Sequence, residues 1–203
     1  MLIDVSMPIQ TGAVFRPGSP PVDISARKCF HESEGDYETT ILALPAHTAT
    51  HVDLVFRERA IEPQRMVGPG RLLDVVGIQD REIALADVAR QPEPRPGDFV
   101  FFRTDWSRHA GTEKYSRHPE LAEEVVEWLI AKKVNAVGID ALGLGRDRKH
   151  GQFDRLLAKN DVFIIENLAH LAAIPSPAFR VYCLPLSIEN VDAIPARVLV
   201  ETG

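Results

Sequence analysis

The segment from Pro45 to Leu54 reads PAHTATHVDL and places His47, His51 and Asp53 within seven positions. All three positions are odd. On an extended strand their side chains share one face, because the side-chain period of a strand is two, whereas on a helix Asp53 would leave the face of the two histidines. Thr48, Thr50 and Val52 are β-branched and favour the extended form. Two imidazoles and one carboxylate suit Zn²⁺, Mn²⁺ or Fe²⁺ and leave coordination positions for water and substrate. An ion so held lowers the pKa of its bound water from about 15.7 to about 7 and polarises a carbonyl, which is hydrolytic chemistry. The other reading of the segment is a polar, solvent-facing strand with incidental histidines. A distant partner would decide between the two, and Glu166 offers one, as a fourth ligand or as a base beside the metal. It ends the apolar run VFIIE, where a lone buried carboxylate would cost several kcal/mol. Its competing role is a salt bridge or a cap for the NLAHL segment that follows.

Positioning these residues requires a sheet. Short apolar runs divided by Pro and Gly predict strands at 2–6, 22–27, 39–46, 71–78, 98–104, 135–140, 162–166, 180–186 and 196–201. The nearly continuous VFIIE run reads as a strand buried on both faces. RPGSPP (16–21) and QPEPRPGD (91–98) read as turns or loops. PELAEEVVEWLIAKK (119–133) reads as a helix, with Pro119 in its first turn, Glu120, Glu123 and Glu124 at its positive end and Lys132 and Lys133 at its negative end. Leu121, Val125 and Leu129 would pack its apolar face on the sheet. Shorter helices are predicted at 83–90 and 154–159. GLGRDRKHG (143–151) lacks the residues of a phosphate loop and reads as a solvated loop. His31 could edge a pocket from its loop, while His109, His118 and His170 read as surface or capping residues. With no internal repeat, low-complexity segment or linker, the expectation is one α+β domain over residues 1–203, a mixed sheet with flanking helices.

Composition bounds the partners. The 203 residues are 45% hydrophobic and 26% charged, with a net charge of −6. That balance is ordinary for a globular chain and lacks the basic excess of a nucleic-acid binder. MLIDVSMPIQ has no basic segment ahead of an apolar core, and no apolar run approaches the roughly 18–20 residues of a membrane span. The two cysteines, Cys29 and Cys183, form no metal-binding pattern and read as reduced, buried thiols. The expected location is the cytoplasm, with neither nucleic acid nor membrane as partner.

Several segments, in order along the chain, resemble the cyclase-like metal-dependent hydrolases that include bacterial kynurenine formamidase and isatin hydrolase. LIDVSMPIQTGAVFRPGSPPVDI is similar to the family's opening strand and Pro-Gly segment. HTATHVD resembles its signature, His-Thr-Gly-Thr-His-Val-Asp-Ala-Pro-x-His. GDFVFFRTDW, VGIDALGLG, VFIIENLAHL and LPLSIENVDAIPARVLVE resemble later family segments. The resemblance implies a swivelling β/β/α-type fold, dimers or tetramers, and one or two divalent metals. It implies attack of metal-bound water on an amide or lactam carbonyl. By motif position His47, His51 and Asp53 correspond to ligands of a first metal, and Glu166 to the Glu that binds a second metal in two-metal members.

The sequence departs from the family at four points. Ala49 replaces the signature Gly, Val55 the Pro, and Arg57 the final His, which is the family's usual proton shuttle. The family's His twelve residues before its Glu is here Asp154, with His150 four residues earlier. Arg57 cannot act as a base near neutral pH, its pKa exceeding about 12. These departures predict that Arg57 fills the second metal's space and pairs with Asp154 or Glu166, leaving one Zn or Mn ion per chain. Glu166, or else Asp154 or His150, would then move protons, and Arg57 would hold an oxyanion or a substrate carboxylate. The expected activity is hydrolysis of a small formamide, amide or lactam. One alternative is a non-catalytic, ligand-binding relative that keeps the metal triad without the shuttle. Another is a facial-triad iron oxygenase.

Overall fold

In the computed structural model, which describes residues 1–203, strand alternation sorts the apolar residues into two cores. In the strand Phe99–Arg103, Phe99 and Phe101 join one buried cluster while Val100 and Phe102 join another. In the strand Phe163–Glu166, Phe163 and Ile165 go to the first of these and Ile164 to the second. Both faces of these strands are therefore buried, as the continuous apolar runs required.

The strands are β1 (Leu2–Asp4), β2 (Asp23–His31), β3 (Gly35–Ala43), β4 (His51–Asp53), β5 (Val67–Asp74), β6 (Phe99–Arg103), β7 (Ala136–Ile139), β8 (Phe163–Glu166), β9 (Ala178–Pro185) and β10 (Ala193–Glu201). The helices are α1 (Leu85–Val88), α2 (Glu123–Ala131) and α3 (Asp147–Lys159). β5, β6, β7 and β8 run parallel to one another. β8 meets β4, β4 meets β10, β10 meets β9, and β9 returns to β5, all antiparallel. The mixed sheet thus closes into a seven-stranded, barrel-like ring, with β1 added outside on β10. Closure leaves no free edge along the ring. One core fills the barrel, including Phe101, Val181, Cys183 and Val198. The other lies outside it, under α2 and α3, and includes Phe102, Leu129, Ile139 and Leu157. The β2–β3 hairpin forms a separate two-stranded ribbon, with Phe30, Tyr37 and Leu42 exposed along it.

The predicted strands are present, with β5 beginning earlier than expected and β10 extending back to Ala193. The helices differ more. α2 begins at Glu123 rather than near Pro119, because residues 120–122 are held extended against Ile83. Ile83 N–H donates to Glu120 O and Ala122 N–H to Ile83 O, and Leu121 bridges Ile83 in parallel register. Tertiary hydrogen bonds override a good local helix start. α1 is shorter than the predicted helix at 83–90. α3 begins at Asp147, seven residues before the expected start, so much of GLGRDRKHG is helix rather than solvated loop. Asp147 enters with φ 51° and Gly151 is a weak helix former, which together hide the first turns from a pattern reading. Cys29 is only half-buried, on the β2–β3 ribbon, and Cys183 is enclosed in the barrel.

Candidate metal centre

The face predicted for a single strand is built by a turn and a strand together. His51 and Asp53 lie in β4, two residues apart on one face. His47 lies before the strand, in a turn where Ala49 takes φ 52°. This is the position of the signature Gly, and a left-handed conformation costs a residue with Cβ roughly 1–2 kcal/mol. The departure at Ala49 is therefore one of backbone conformation as well as of space. The turn is held by hydrogen bonds. Thr48 Oγ1 donates to Pro45 O at 2.6 Å and Thr50 Oγ1 to Asn167 O at 2.5 Å. Ala49 O accepts from Asn167 Nδ2 at 3.0 Å and from His51 Nδ1 at 2.8 Å. That last bond places a proton on Nδ1 and makes Nε2 of His51 the nitrogen directed at the site.

The ligand atoms then meet. His47 Nδ1 lies 3.2 Å from His51 Nε2 and 3.0 Å from Asp53 Oδ1, and His51 Nε2 lies 3.3 Å from Asp53 Oδ1. Two ligand atoms about 2.1 Å from a tetrahedral ion stand about 3.4 Å apart, so the spacing suits a common ion.

Register brings in Glu166. β4 and β8 are antiparallel with His51 directly opposite Glu166, and His51 Nε2 is 3.5 Å from Glu166 Oε2. Both face outward from the barrel, on the side covered by α3. From α3, His150 and Asp154, one turn apart, reach the same carboxylate. His150 Nδ1 lies 3.8 Å from Glu166 Oε1, and His150 Nε2 lies 3.5 Å from Asp154 Oδ2. His150, Asp154 and Glu166 form a second group with metal-ligand spacing beside the first. Sequence reasoning left Asp154 and His150 as alternatives; the helix brings both. Gly143 makes the room: a Cβ there would lie 2.5 Å from His150 Nδ1 and 3.1 Å from Glu166 Oε1.

The electrostatics favour cations. Asp53 Oδ1, Asp154 Oδ1 and Glu166 Oε1 are buried with no hydrogen-bond partner. Burial, then the neighbouring carboxylates Glu166 and Asp53, push the Asp154 pKa up to about 9. Burial and Asp53 likewise raise Glu166. Burial opposes charge on His51, but Asp53 and Glu166 outweigh it and raise the imidazole to about 10. Burial also opposes charge on Asp53, but contacts with His47 and His51 hold its carboxyl below the usual range. Three crowded carboxylates with orphaned oxygens are what divalent ions neutralise.

Arg57 does not fill the second metal's space. Its side chain is 61% exposed and pairs with Asp192 at 3.5 Å rather than with Asp154 or Glu166. Asp192 lies 3.7 Å from His47 Nε2, so Arg57 reaches the first group only through that carboxylate. β4 ends at Asp53, and beyond it the Arg57 side chain reaches out to Asp192. With Arg57 elsewhere, the reason for expecting a single ion is gone.

His118 is a site residue that the sequence alone reads as a surface or capping histidine. It is 3% exposed and lines a cavity of about 420 Å³ with His47, His51, His150 and Glu166. Burial, followed by Arg146 and His150, lowers its pKa to about 4 despite its bond to Pro119, so it is neutral at pH 7. Nδ1 donates to Pro119 O at 2.8 Å, which leaves Nε2 as an acceptor. No local pattern marks it, because its burial comes from α3 and the cavity wall. His31 sits at the far end of the β2–β3 ribbon, paired with Gly35, and lines none of this.

Comparison with known proteins agrees with the geometry. The sequence family described as "Putative cyclase" matches residues 3–146. A kynurenine formamidase of Erythrobacter litoralis is 26% identical over 206 residues, covering 97% of this chain and 92% of that protein. An isatin hydrolase of Roseibium aggregatum is 23% identical over 217 residues, covering 91% and 82%. A solved structure described as a potential metal-dependent hydrolase with cyclase activity superimposes with a TM-score of 0.83 at 28% identity, covering 100% of this chain and 99% of that one. An isatin hydrolase bound to the product analogue thioisatinate shares the fold, with a TM-score of 0.82 at 20% identity, covering 99% and 92%. No helix is long and apolar enough to cross a membrane. With the family match running from β1 to the start of α3, and relatives spanning nearly the whole chain, this protein belongs to the cyclase family.

Proposed function

We propose that this protein is a metal-dependent hydrolase of a non-peptide C–N bond in a small amide, formamide or lactam. The observation that carries it is the convergence of two ligand groups, joined at His51 and Glu166, with three unpartnered buried carboxylate oxygens. His47, His51 and Asp53 would hold one divalent ion, Zn or Mn, and His150, Asp154 and Glu166 have the donors for a second. An ion there supplies a polarised carbonyl and water ionised near neutral pH.

The chain's own residues do the rest. Ala49 O fixes the His51 tautomer, and Asn167, tied to Ala49 and to the Tyr115 hydroxyl at 2.6 Å, locks the end of β8 and with it Glu166. Water adds to the carbonyl carbon, the C–N bond breaks, and the leaving nitrogen takes a proton. His118 Nε2, a neutral acceptor on the cavity wall, is placed to move that proton while His150 and Glu166 serve the second ion. Arg57, on Asp192, orients His47 rather than gripping the substrate. The relatives' names, formamidase and isatin hydrolase, support C–N hydrolysis as the reaction class. The binding-protein alternative rested on the altered shuttle position, and a complete donor set speaks against it. The exposed apolar side chains on the β2–β3 ribbon support assembly as a homodimer or homotetramer, which light scattering of the native chain would measure.

The test is turnover of N-formyl anilides, lactams and isatin-like rings with Zn²⁺ or Mn²⁺ added, beside His51→Ala. Metal-dependent turnover lost in the variant is expected. Equal activity in the variant would defeat the mechanism.

A further inference from the structure

The cavity over the two ligand groups has an unusual wall. Of the residues lining its 420 Å³, only Leu142 and Pro17 have apolar side chains, and three are arginines: Arg16, Arg117 and Arg146. A second depression of about 710 Å³ adjoins it along the same ligands. It shares Arg16, His47, Asp147 and His150 with the first, adds Arg148 and Arg155, and has Val55 as its one large apolar residue. Five guanidinium groups therefore surround one site in a chain whose net charge is −6.

Most of these cations are free. The arginine ion pairs of the molecule involve Arg57, Arg59, Arg65, Arg71, Arg81, Arg103, Arg146 and Arg197. Arg16, Arg117, Arg148 and Arg155 are in none of them. Arg146 pairs with Glu120 through Nη2 at 2.8 Å, yet its Nε is buried with no partner. The acids of the two depressions are spoken for in turn: Asp53, Asp154 and Glu166 belong to the ligand groups, and Asp192 pairs with Arg57. Asp147 alone remains. Once ions neutralise the ligand carboxylates, the wall carries a positive surplus. The N-terminus of the 13-residue α3 adds to it, since Arg146, Asp147 and the following turn line the cavity with no side-chain cap on the helix.

We propose that the substrate is a small amide or lactam bearing at least one carboxylate, held in the cavity by Arg16, Arg117 and Arg146 and steered in by Arg148 and Arg155. Guanidinium groups bind carboxylates through paired donors, and clustered cations at a cleft concentrate anions there. A bulky aromatic ring would meet one leucine and one proline among mostly polar residues. The apolar groove of the molecule, about 610 Å³ beside Ile61, Met66 and Leu186, holds none of the six ligand residues. The proposal rests on the hydrolase reading for the bond that is cut, and on the arginines for what the substrate carries beside it.

Binding and turnover separate the two. Calorimetry on the Zn²⁺-loaded protein would compare succinate with succinamide, its neutral analogue. Succinate should bind and succinamide should not. Arg117→Ala and Arg16→Ala should each weaken succinate about tenfold, as expected for a lost charged hydrogen bond, with metal content and thermal midpoint unchanged. Arg117→Lys should recover part of the loss. In turnover, N-formyl-aspartate should exceed formanilide in kcat/KM by at least tenfold, with the arginine variants raising KM for the first only. Succinate binding within twofold of native in the Arg16→Ala/Arg117→Ala double variant, or a preference for formanilide, would overturn the proposal. Arginine-dependent succinate binding without turnover of either formamide would uphold the anion site and sink the hydrolase reading instead.

Discussion

The two ligand groups share Glu166 as a neighbour but are built in opposite ways. His47, His51 and Asp53 come from one short segment, a turn and a strand, with ligand atoms 3.0–3.3 Å apart. The backbone of that segment is clamped by Thr48, Thr50 and Asn167. His150, Asp154 and Glu166 come from a helix and a strand that meet only in the fold, with contacts of 3.5–3.8 Å. The first group is a local device made rigid by hydrogen bonds. The second is a packing product, as precise as the seat of α3 on β8. Mutations should therefore act on the first by removing ligands and on the second by moving the helix.

The largest expected effect is His51→Ala, which removes the one imidazole that touches both Asp53 and Glu166. Substituting groups behind metal ligands typically costs 10–100-fold in affinity, so loss of this ligand should exceed about 100-fold in metal binding, read by competition with a chelating dye. Retained affinity would mean that the first group is not where the metal sits. Next comes Gly143→Ala, which fills the space beside His150 and Glu166. It should weaken the second ion by about 10–100-fold and leave the first in place, so that metal content under saturating conditions falls from two per chain to one. A single ion per chain in the native protein would break the comparison outright.

A pH experiment sharpens the cavity side. Burial lowers the His118 pKa from 6.5 to about 4, so the unfolded chain takes up this proton first as pH falls. The stability tied to neutral His118 is present above about pH 6.5 and lost progressively between 6.5 and 4, by at most about 3 kcal/mol. His118→Asn should remove that part of the slope in urea midpoints measured against pH. An unchanged slope would mean that His118 does not titrate from a buried state. The smallest effect is expected at Arg57→Ala. Its pair with Asp192 is exposed on both sides, 61% and 50%, and such pairs are worth less than about 1 kcal/mol. kcat/KM should stay within about threefold of native. A larger loss would restore Arg57 to the catalytic machinery.

The same contrast explains what was legible in the sequence. His47, His51 and Asp53 could be read because a strand period of two is local, and Glu166 because an apolar run ended on a carboxylate. The reading missed only how His47 arrives, through a left-handed residue at Ala49. The second group is half legible: the family's spacing from Glu166 lands on Asp154 and leaves His150 four residues early, so the sequence offers them as alternatives. Begun at Asp147, the helix puts them one turn apart on one face. His118 and the free arginines were invisible, since burial and the absence of a partner are not properties of a residue's neighbours in sequence.

By itself, then, the chain determined the local chemistry: an extended segment carrying His47, His51 and Asp53, a buried strand ending in Glu166, and the order of segments that resembles the cyclase family. The first two follow from side-chain periodicity and the third from motif order, none of which needs a tertiary contact. The tertiary structure decided the rest. Ring closure set His51 opposite Glu166, the seating of α3 delivered His150 and Asp154, and the chain past β4 carried Arg57 out to Asp192. The physical reason is that a charge finds its partner through space. Five of the guanidinium groups in this chain, from Arg16 to Arg155, come together only when the barrel and α3 fold them around one cavity.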